Sequence, residues 1–442
     1  MRIVNGTAEA RAQLLQRRRL DEICLPAAAQ LKLEQVFGGG VTAEQAARRI
    51  VEDVRSRGDA AVRRFGRAFD GVTPRRFEVS AAERRRAARA VDPELRLALE
   101  LAAQRVWDFH DRQRQNSWMT FDEGMAGQLV QPIETVGIYA PGGIISYPST
   151  VIMTAVPALV AGVSDILLVT PPQPDGRVAA LTLVAAEIAC VDRVFAIGGA
   201  QAIAAFAYGT RTVPRVDKIF GPGSLMVQLA KKAVYGDVGI DAIQGPTETL
   251  LIADDSADAA LCAADLLAQG EHDPLASAVM LTTSAALAEQ TAAEVERRLG
   301  RLERADIARQ ALENNGGIGV VESVEEALEL ANEYAPEHLC LLVRDAASHL
   351  GLVRNAGGVF LGEDTAEALA DYIAGPSHVM PTGGSARFSS PVNVSDFMKV
   401  TSVVGLTRNA ALELIPFAAA IADEEGLTAH AGALRARRRI KG

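Results

Sequence analysis

The sequence predicts an α/β protein of mostly parallel sheets, flanked by helical segments at both ends. Three observations predict it. From about residue 134 onward, short β-branched runs alternate with longer helical stretches. Glycine and proline gather just after several of those runs, where βα turns belong. Residues 1–130 and 404–442 are rich in Ala, Arg, Leu and Glu at helical spacing and carry few strand signals.

In chain order, strands are expected at TVGIYA (135–140), DILLVT (165–170), RVFAIG (193–198), TLLIAD (249–254), SAVMLT (277–282), GIGVVE (317–322), LCLLV (339–343) and GVFLG (358–362). Helices are expected between them, at 176–190, 256–269, 284–299 and 323–334. Such alternation indicates βαβ units, whose crossovers force neighbouring strands to run parallel. The last stretch, 404–442, reads as helices without a core of their own, to be packed on another domain or another subunit.

A chain of 442 residues is long enough for more than one core, since single cores rarely grow past roughly 250–300 residues. Its 49% apolar and 23% charged residues are ordinary for a soluble globular protein. The net charge of −10 argues against a nucleic-acid partner, and the basic cluster ALRARRRIKG (433–442) reads as a solvated tail. The longest apolar run, STVIMTAVPALVAGV (149–163), is too short to span a bilayer and contains Pro157, so no membrane partner is expected. The N-terminus lacks a secretory apolar region, and Cys24, Cys190, Cys262 and Cys340 are far apart without a CxxC, which fits thiols in a reducing cytoplasm.

Four Gly-rich turns follow strands or strand-like runs: APGG (140–143), IGGAQ (197–201), FGPG (220–223) and IQGPTE (243–248). In open parallel sheets ligands bind beyond the carboxyl ends of strands, where glycines admit a phosphate and helix N-termini offer free N–H groups. A nucleotide site and ordinary βα turns both fit. No GxGxxG follows a strand, so a dinucleotide would have to be bound in a non-standard way.

Histidine is scarce, with six in the chain, and four of these sit in polar, motif-like company. AQGEHDP (268–274) places Gln269 and His272 three apart at a helix end, where both can face one point. ADYIAGPSHVMPTGG (370–384) offers Asp371 and His378, and EEGLTAH (424–430) offers Glu425 and His430. Imidazoles with carboxylates suit Zn²⁺ or a similar ion, whereas each histidine alone reads as a cap or core residue. His110 and His349 lie in helical context and read as structural. In EYAPEHLCLLV (333–343), Glu337 and His338 abut a core strand. They read either as a proton-transfer couple or as caps of a helix end after Pro336, and the pattern leaves both open.

Together VGIYAPGG, GGAQAIAA, VDKIFGPG, VGIDAIQGPTE, AQGEHDPLA, APEHL, DYIAGPSHVMPTGGSARFSSP and EGLTAH closely resemble histidinol dehydrogenases, over residues of about 30 to 432. The resemblance implies oxidation of L-histidinol through L-histidinal to L-histidine with NAD and one Zn²⁺ per site. It implies zinc ligands at Gln269, His272, Asp371 and His430, the last from the partner of an intertwined homodimer with shared active sites. Glu337 and His338 match the catalytic pair: His338 takes the alcohol proton, and Glu337 activates the water that hydrates the aldehyde. Thr247, His378 and Glu425 match substrate-contacting positions, and Tyr139, Gln201 and Ser224 match NAD-contacting ones. Thr247 replaces a more usual Ser and Ser224 a more usual Asn. The implied fold has two incomplete Rossmann-like domains. One is discontinuous (33–134 and 245–385) and carries the zinc and catalytic residues, with the NAD-binding one inserted at 135–244. A helical extension (1–32) and a helical tail (386–442), which reaches the partner's site, complete it. Relatives with the same machinery acting on other polar alcohols, such as sulfonated diols, and a zinc hydrolase using Glu337 as base are the alternatives.

Overall fold

The computed structural model describes residues 1–17, 22–23, 25, 27–72, 74–143 and 146–438. Cys24 and the end of the basic tail, 439–442, lie outside them. The strands are β1 (Ile3–Asn5), β2 (Trp118–Thr120), β3 (Gly124–Pro132), β4 (Thr135–Tyr139), β5 (Asp165–Thr170), β6 (Arg193–Ala196) and β7 (Lys218–Phe220). They continue with β8 (Gly239–Ile240), β9 (Glu248–Ala253), β10 (Ser277–Thr282), β11 (Gly317–Val320), β12 (His338–Leu342), β13 (Gly358–Leu361) and β14 (Met398–Leu406).

Two parallel sheets, each covered by helices on both faces, carry the fold. One has five strands in the order β6-β5-β4-β7-β8, and the other has six in the order β1-β11-β10-β9-β12-β13. Successive strand side chains point to opposite faces, so a strand covered on both must be apolar throughout. In β5, Ile166 and Leu168 enter the core shared with the helices Pro93–Asp111, Pro148–Ala161 and Ala180–Ile188. Leu167 and Val169 enter the opposite one, with the helices Ala43–Arg57, Gly199–Tyr208 and Leu225–Val234. β9 divides the same way, Leu251 from Leu250 and Ile252. The run Pro148–Ala161 is a buried helix of this first core, and no helix among the described residues is long and apolar enough to cross a membrane.

Three features differ from the sequence reading. The segment 1–32 opens with a strand, β1, which joins the six-stranded sheet beside β11. The helices within 43–111 pack on the five-stranded sheet, not on the sheet of residues 248–361 with which the sequence groups them. The C-terminal tail is not wholly helical: β14 pairs antiparallel with β3 over nine residues, and β2 completes a three-stranded sheet. β1, β7 and β8 are too short to show a period. β3 and β14 are exposed along much of both faces, so no clean alternation marks them. Beyond β14 the helices Arg408–Glu424 and Thr428–Arg438 pack against each other and leave Val404 72%, Phe417 72% and Ile421 62% exposed.

Candidate active site

The helix Val324–Tyr334 starts on a Ser323 side chain that accepts from the Glu326 N–H, and it ends at Ala335. Ala335 takes a left-handed conformation (φ 52°), one of two non-glycine residues to do so among those described. Pro336 then turns the chain, so that Glu337 just precedes β12 and His338 opens it, both buried. Left-handed alanine is strained by about a kcal/mol or more and persists only where neighbours fix it. Here Arg17 fixes it. Its guanidinium donates to the Tyr334 and Ala335 carbonyls, stacks 3.8 Å from the Tyr334 ring centroid, and pairs with Glu248 at the start of β9.

Glu337 is held by β9 and the turn before it. One carboxylate oxygen accepts from the Thr247 hydroxyl at 2.6 Å and the Glu248 N–H at 3.0 Å. The same hydroxyl, its proton committed to Glu337, accepts from the Gln269 amide nitrogen at 3.0 Å. That orientation leaves the Gln269 carbonyl oxygen buried with no hydrogen-bond partner among the described residues. Burial pushes the Glu337 carboxyl up to about 7, against the opposing pull of His338.

His338 Nδ1 lies 3.2 Å from the Glu248 carbonyl, which can only accept, so Nδ1 carries the proton. Its Nε2 is buried, has no hydrogen-bond partner, and faces Asp371 at 3.9 Å. Burial lowers the affinity of the ring for a second proton, but the carboxylates of Glu367, Glu337 and Asp371 outweigh it and raise the imidazole to about 9. Glu367 is wholly buried and accepts from Thr249, whose hydroxyl lies 3.5 Å from His338 Nδ1.

Asp371 comes from the short helix Glu367–Tyr372. His378 is tied to it: Nδ1–H donates to the Asp371 carbonyl at 2.7 Å, leaving Nε2 to accept from Thr150 at 3.2 Å. Burial keeps that imidazole below its usual range. His272 stands exposed at the turn after the helix Ala259–Gly270 that holds Gln269, near enough to act electrostatically on His378 and Glu367. The structure thus assembles Thr247, Gln269, His272, Glu337, His338, Asp371 and His378.

Among the described residues no three His, Cys, Asp or Glu side chains are grouped to hold a metal ion. Gln269, His272 and Asp371 supply two such residues and an amide. The unpartnered Gln269 oxygen is what a ligand site requires: a buried acceptor with no protein donor is costly unless something else satisfies it. Gln269, His272 and Asp371 are donors of the kind that suit such an ion.

A second feature lies at the carboxyl edge of the five-stranded sheet. From β4 the strand order runs outward to β5 and β6 on one side and to β7 and β8 on the other, so the crevice between β4 and β7 is the topological switch point. A cavity of about 750 Å³ opens there, lined by Tyr139, Gln201 and Ser224 together with Gly142, Gly143 and Asp70. Tyr139 ends β4, and its hydroxyl accepts from the N–H of Gly199, the first residue of the helix Gly199–Tyr208. Ser224 precedes the helix Leu225–Val234 with its hydroxyl uncommitted to capping. Gly221 (φ +110°) lets the β7 turn close on β4, where a Cβ would stand 2.1 Å from the Tyr139 oxygen. Lys231 and Asp241 clamp that turn through the Gly221 carbonyl and N–H.

Glu425 and His430 are not brought to the site. Both are exposed on the C-terminal helical segment. Arg17, Thr249, Glu367 and Asp70 belong to the two sites without having been singled out in the sequence. Arg17 sits in an ordinary Arg run, and Glu367 on a helix too short to show a face. Of the cysteines, Cys262 and Cys340 are buried and Cys190 is exposed, all as free thiols.

The arrangement has close counterparts among known proteins. A family model described as histidinol dehydrogenase matches residues 40–438. Histidinol dehydrogenase of Deinococcus radiodurans is 50% identical over 440 residues, covering 99% of this chain and 100% of that one. The enzyme of that name from Dehalococcoides mccartyi strain 195 is 48% identical over 98% of this chain and 99% of its own. The crystal structure of histidinol dehydrogenase from Elizabethkingia anophelis matches with a TM-score of 0.89 at 33% identity, covering 99% of this chain and 98% of that one.

Proposed function

The chain belongs to the histidinol dehydrogenase family, an oxidoreductase family of histidine biosynthesis, and we propose that it oxidises L-histidinol through L-histidinal to L-histidine with NAD and zinc. The observation that carries the proposal is His338. Its Nδ1 proton is committed to the Glu248 carbonyl while Nε2 is buried and unpartnered. Once the ring, raised to about 9, has given up its second proton, that nitrogen accepts the alcohol proton as hydride leaves carbon, so the reaction is favoured on the alkaline side; such a base is worth about 10²–10⁴-fold in rate. Glu337, held through one oxygen by Thr247 and Glu248, keeps its other oxygen for the water that adds to the aldehyde. After His338 has released the first proton to solvent, the resulting gem-diol gives its own to the same Nε2 in the second oxidation.

Gln269, His272 and Asp371 would hold the zinc, with His430 from a second copy of the chain as the fourth ligand. A zinc ion held there would supply orientation of the substrate rather than proton transfer. His378 and Glu425 would contact the substrate, as would Thr247. NAD, the hydride acceptor, would occupy the β4–β7 crevice against Tyr139, Gln201 and Ser224. The exposed apolar side chains of Val404 on β14 and of Phe417 and Ile421 on the helix after it support an intertwined homodimer, since such apolar exposure on an arm without its own core suits an interface. In such a dimer the tail of one copy delivers Glu425 and His430 to the other.

The test is stoichiometry. Zinc-loaded protein given limiting L-histidinol and excess NAD⁺ yields two NADH and one L-histidine per histidinol. No NADH from histidinol, with turnover of a sulfonated diol instead, would overturn the assignment.

A further inference from the structure

We propose that Asp70 reads the adenosine ribose of the dinucleotide and sets a preference for NAD over NADP. The inference rests on the NAD reading of the β4–β7 crevice and adds to it a discriminating residue from the N-terminal helical region. Asp70 ends a π-helical turn, Gly66–Asp70, closed by Gly71 in the left-handed region (φ 73°). Single π turns inside α-helical segments recur at functional sites because the wider turn re-aims the side chains that follow. Here the turn is anchored by stacking of Phe69 on Phe65 and Phe37, with centroids 6.2 Å and 6.4 Å apart.

The turn delivers Asp70 into the cavity that Tyr139, Gln201 and Ser224 line. Its Oδ2 accepts from the Gln201 amide at 3.4 Å, leaving Oδ1 for a ligand. Among the described residues, Asp70 is the only acidic one on that lining and Lys32 the only basic one, with Lys32 Nζ donating to the Phe69 carbonyl at 3.2 Å. Every described lining residue belongs to 25–226, and none of them is part of the His338 site. The hydride-accepting ring must lie against substrate beside His338, so the cavity receives the other half of the dinucleotide, the adenosine.

A carboxylate at that point accepts hydrogen bonds from ribose hydroxyls, as the acidic residue of fingerprint-bearing dinucleotide sites does from another position. It repels a 2′-phosphate, which brings like charge and has no proton to donate. Burial pushes the Asp70 carboxyl up to about 6, against the opposing effect of Lys32, so it is still largely ionised at neutral pH. Lys32 would welcome the phosphate, and Asp70 masks it.

The experiment is equilibrium binding of NADH and NADPH to the full chain without substrate, read by nicotinamide fluorescence. The native chain binds NADH in preference to NADPH. In Asp70→Asn the preference shrinks about tenfold or more, the scale of one lost bond to a charged acceptor plus relief of repulsion at Lys32. Lys32→Gln, which removes the cation alone, raises the preference and provides the test should Asp70→Asn fail to fold. A native chain that binds both cofactors equally, or an unchanged preference in folded Asp70→Asn, overturns the assignment of Asp70 while the NAD reading stands. A native chain that binds neither cofactor and reduces neither overturns both together.

Discussion

The hydroxyl of Thr247 donates to a carboxylate oxygen of Glu337 at 2.6 Å, and its lone pairs take the Gln269 amide at 3.0 Å. One side chain therefore sets both the reach of the proposed water-activating carboxylate and the direction in which the Gln269 oxygen points. Glutamine is neutral, and its amide can turn over; Thr247 decides which end faces the proposed metal site. Thr247→Val keeps the volume and removes the hydroxyl. The bond that orients Gln269 is a neutral amide–hydroxyl one worth about 0.5–1.5 kcal/mol, so zinc affinity by chelator competition falls about two- to tenfold, and turnover falls with it. Thr247→Ser restores both. Undiminished zinc binding in the valine variant would remove Thr247 from this role.

Arg17 and Glu248 form a mostly buried pair, with side chains 22% and 8% exposed, that also tethers the strained Ala335 turn. Removing one partner of a buried pair costs about 3–5 kcal/mol because the other charge stays behind, and partial exposure puts this pair at the lower end. Arg17→Met lowers the urea midpoint accordingly. Adding Glu248→Gln recovers part of the loss by discharging the stranded carboxylate. A midpoint unchanged in Arg17→Met would contradict the clamp.

The free chain's stability falls with rising pH. Both Glu337, up to about 7, and His338, up to about 9, hold protons more tightly folded than unfolded, where about 4.5 and 6.5 apply. Each contributes stability that is fully present below its unfolded value and lost as pH rises through its folded one. Without zinc, the urea midpoint declines between about pH 5 and pH 9, and the decline is shallower in His338→Asn. A midpoint that climbs toward pH 9 would contradict these environments.

The contrast between what the sequence exposed and what it hid is physical. β5, β9, β10 and β12 are buried on both faces and so appear as continuous apolar runs. β14 serves an exposed arm and has no such run. Glu337 and His338 were legible because charge beside LCLLV is unusual, and Gln269 and His272 because their spacing puts them at one helix end. Spacing could not favour Gln269 over Glu271; the resemblance picked it out, and the Thr247 bond gives it a physical basis. Arg17, Glu367 and Asp70 act through contacts more than a hundred residues away in sequence, which no local pattern records.

His430 is exposed and apart from the other proposed ligands in its own chain. His430→Asn should lose zinc while keeping its fold. Mixed with an inactive Glu337→Gln/His338→Asn chain under conditions that exchange subunits, it regains activity, because one mixed site then has every group intact. Full zinc retention in His430→Asn would place the fourth ligand elsewhere.

The division of labour between His338 and Glu337 is the centre of the account, and Glu337→Gln measures it most directly. The variant keeps His338 and its free Nε2 but cannot activate water. Steady-state rates with L-histidinol and with L-histidinal as separate substrates should show the aldehyde reaction falling by about 10²–10⁴-fold, with the first hydride transfer from histidinol far less affected in a single turnover. An equal loss in the single-turnover first hydride transfer and in the histidinal reaction would contradict it.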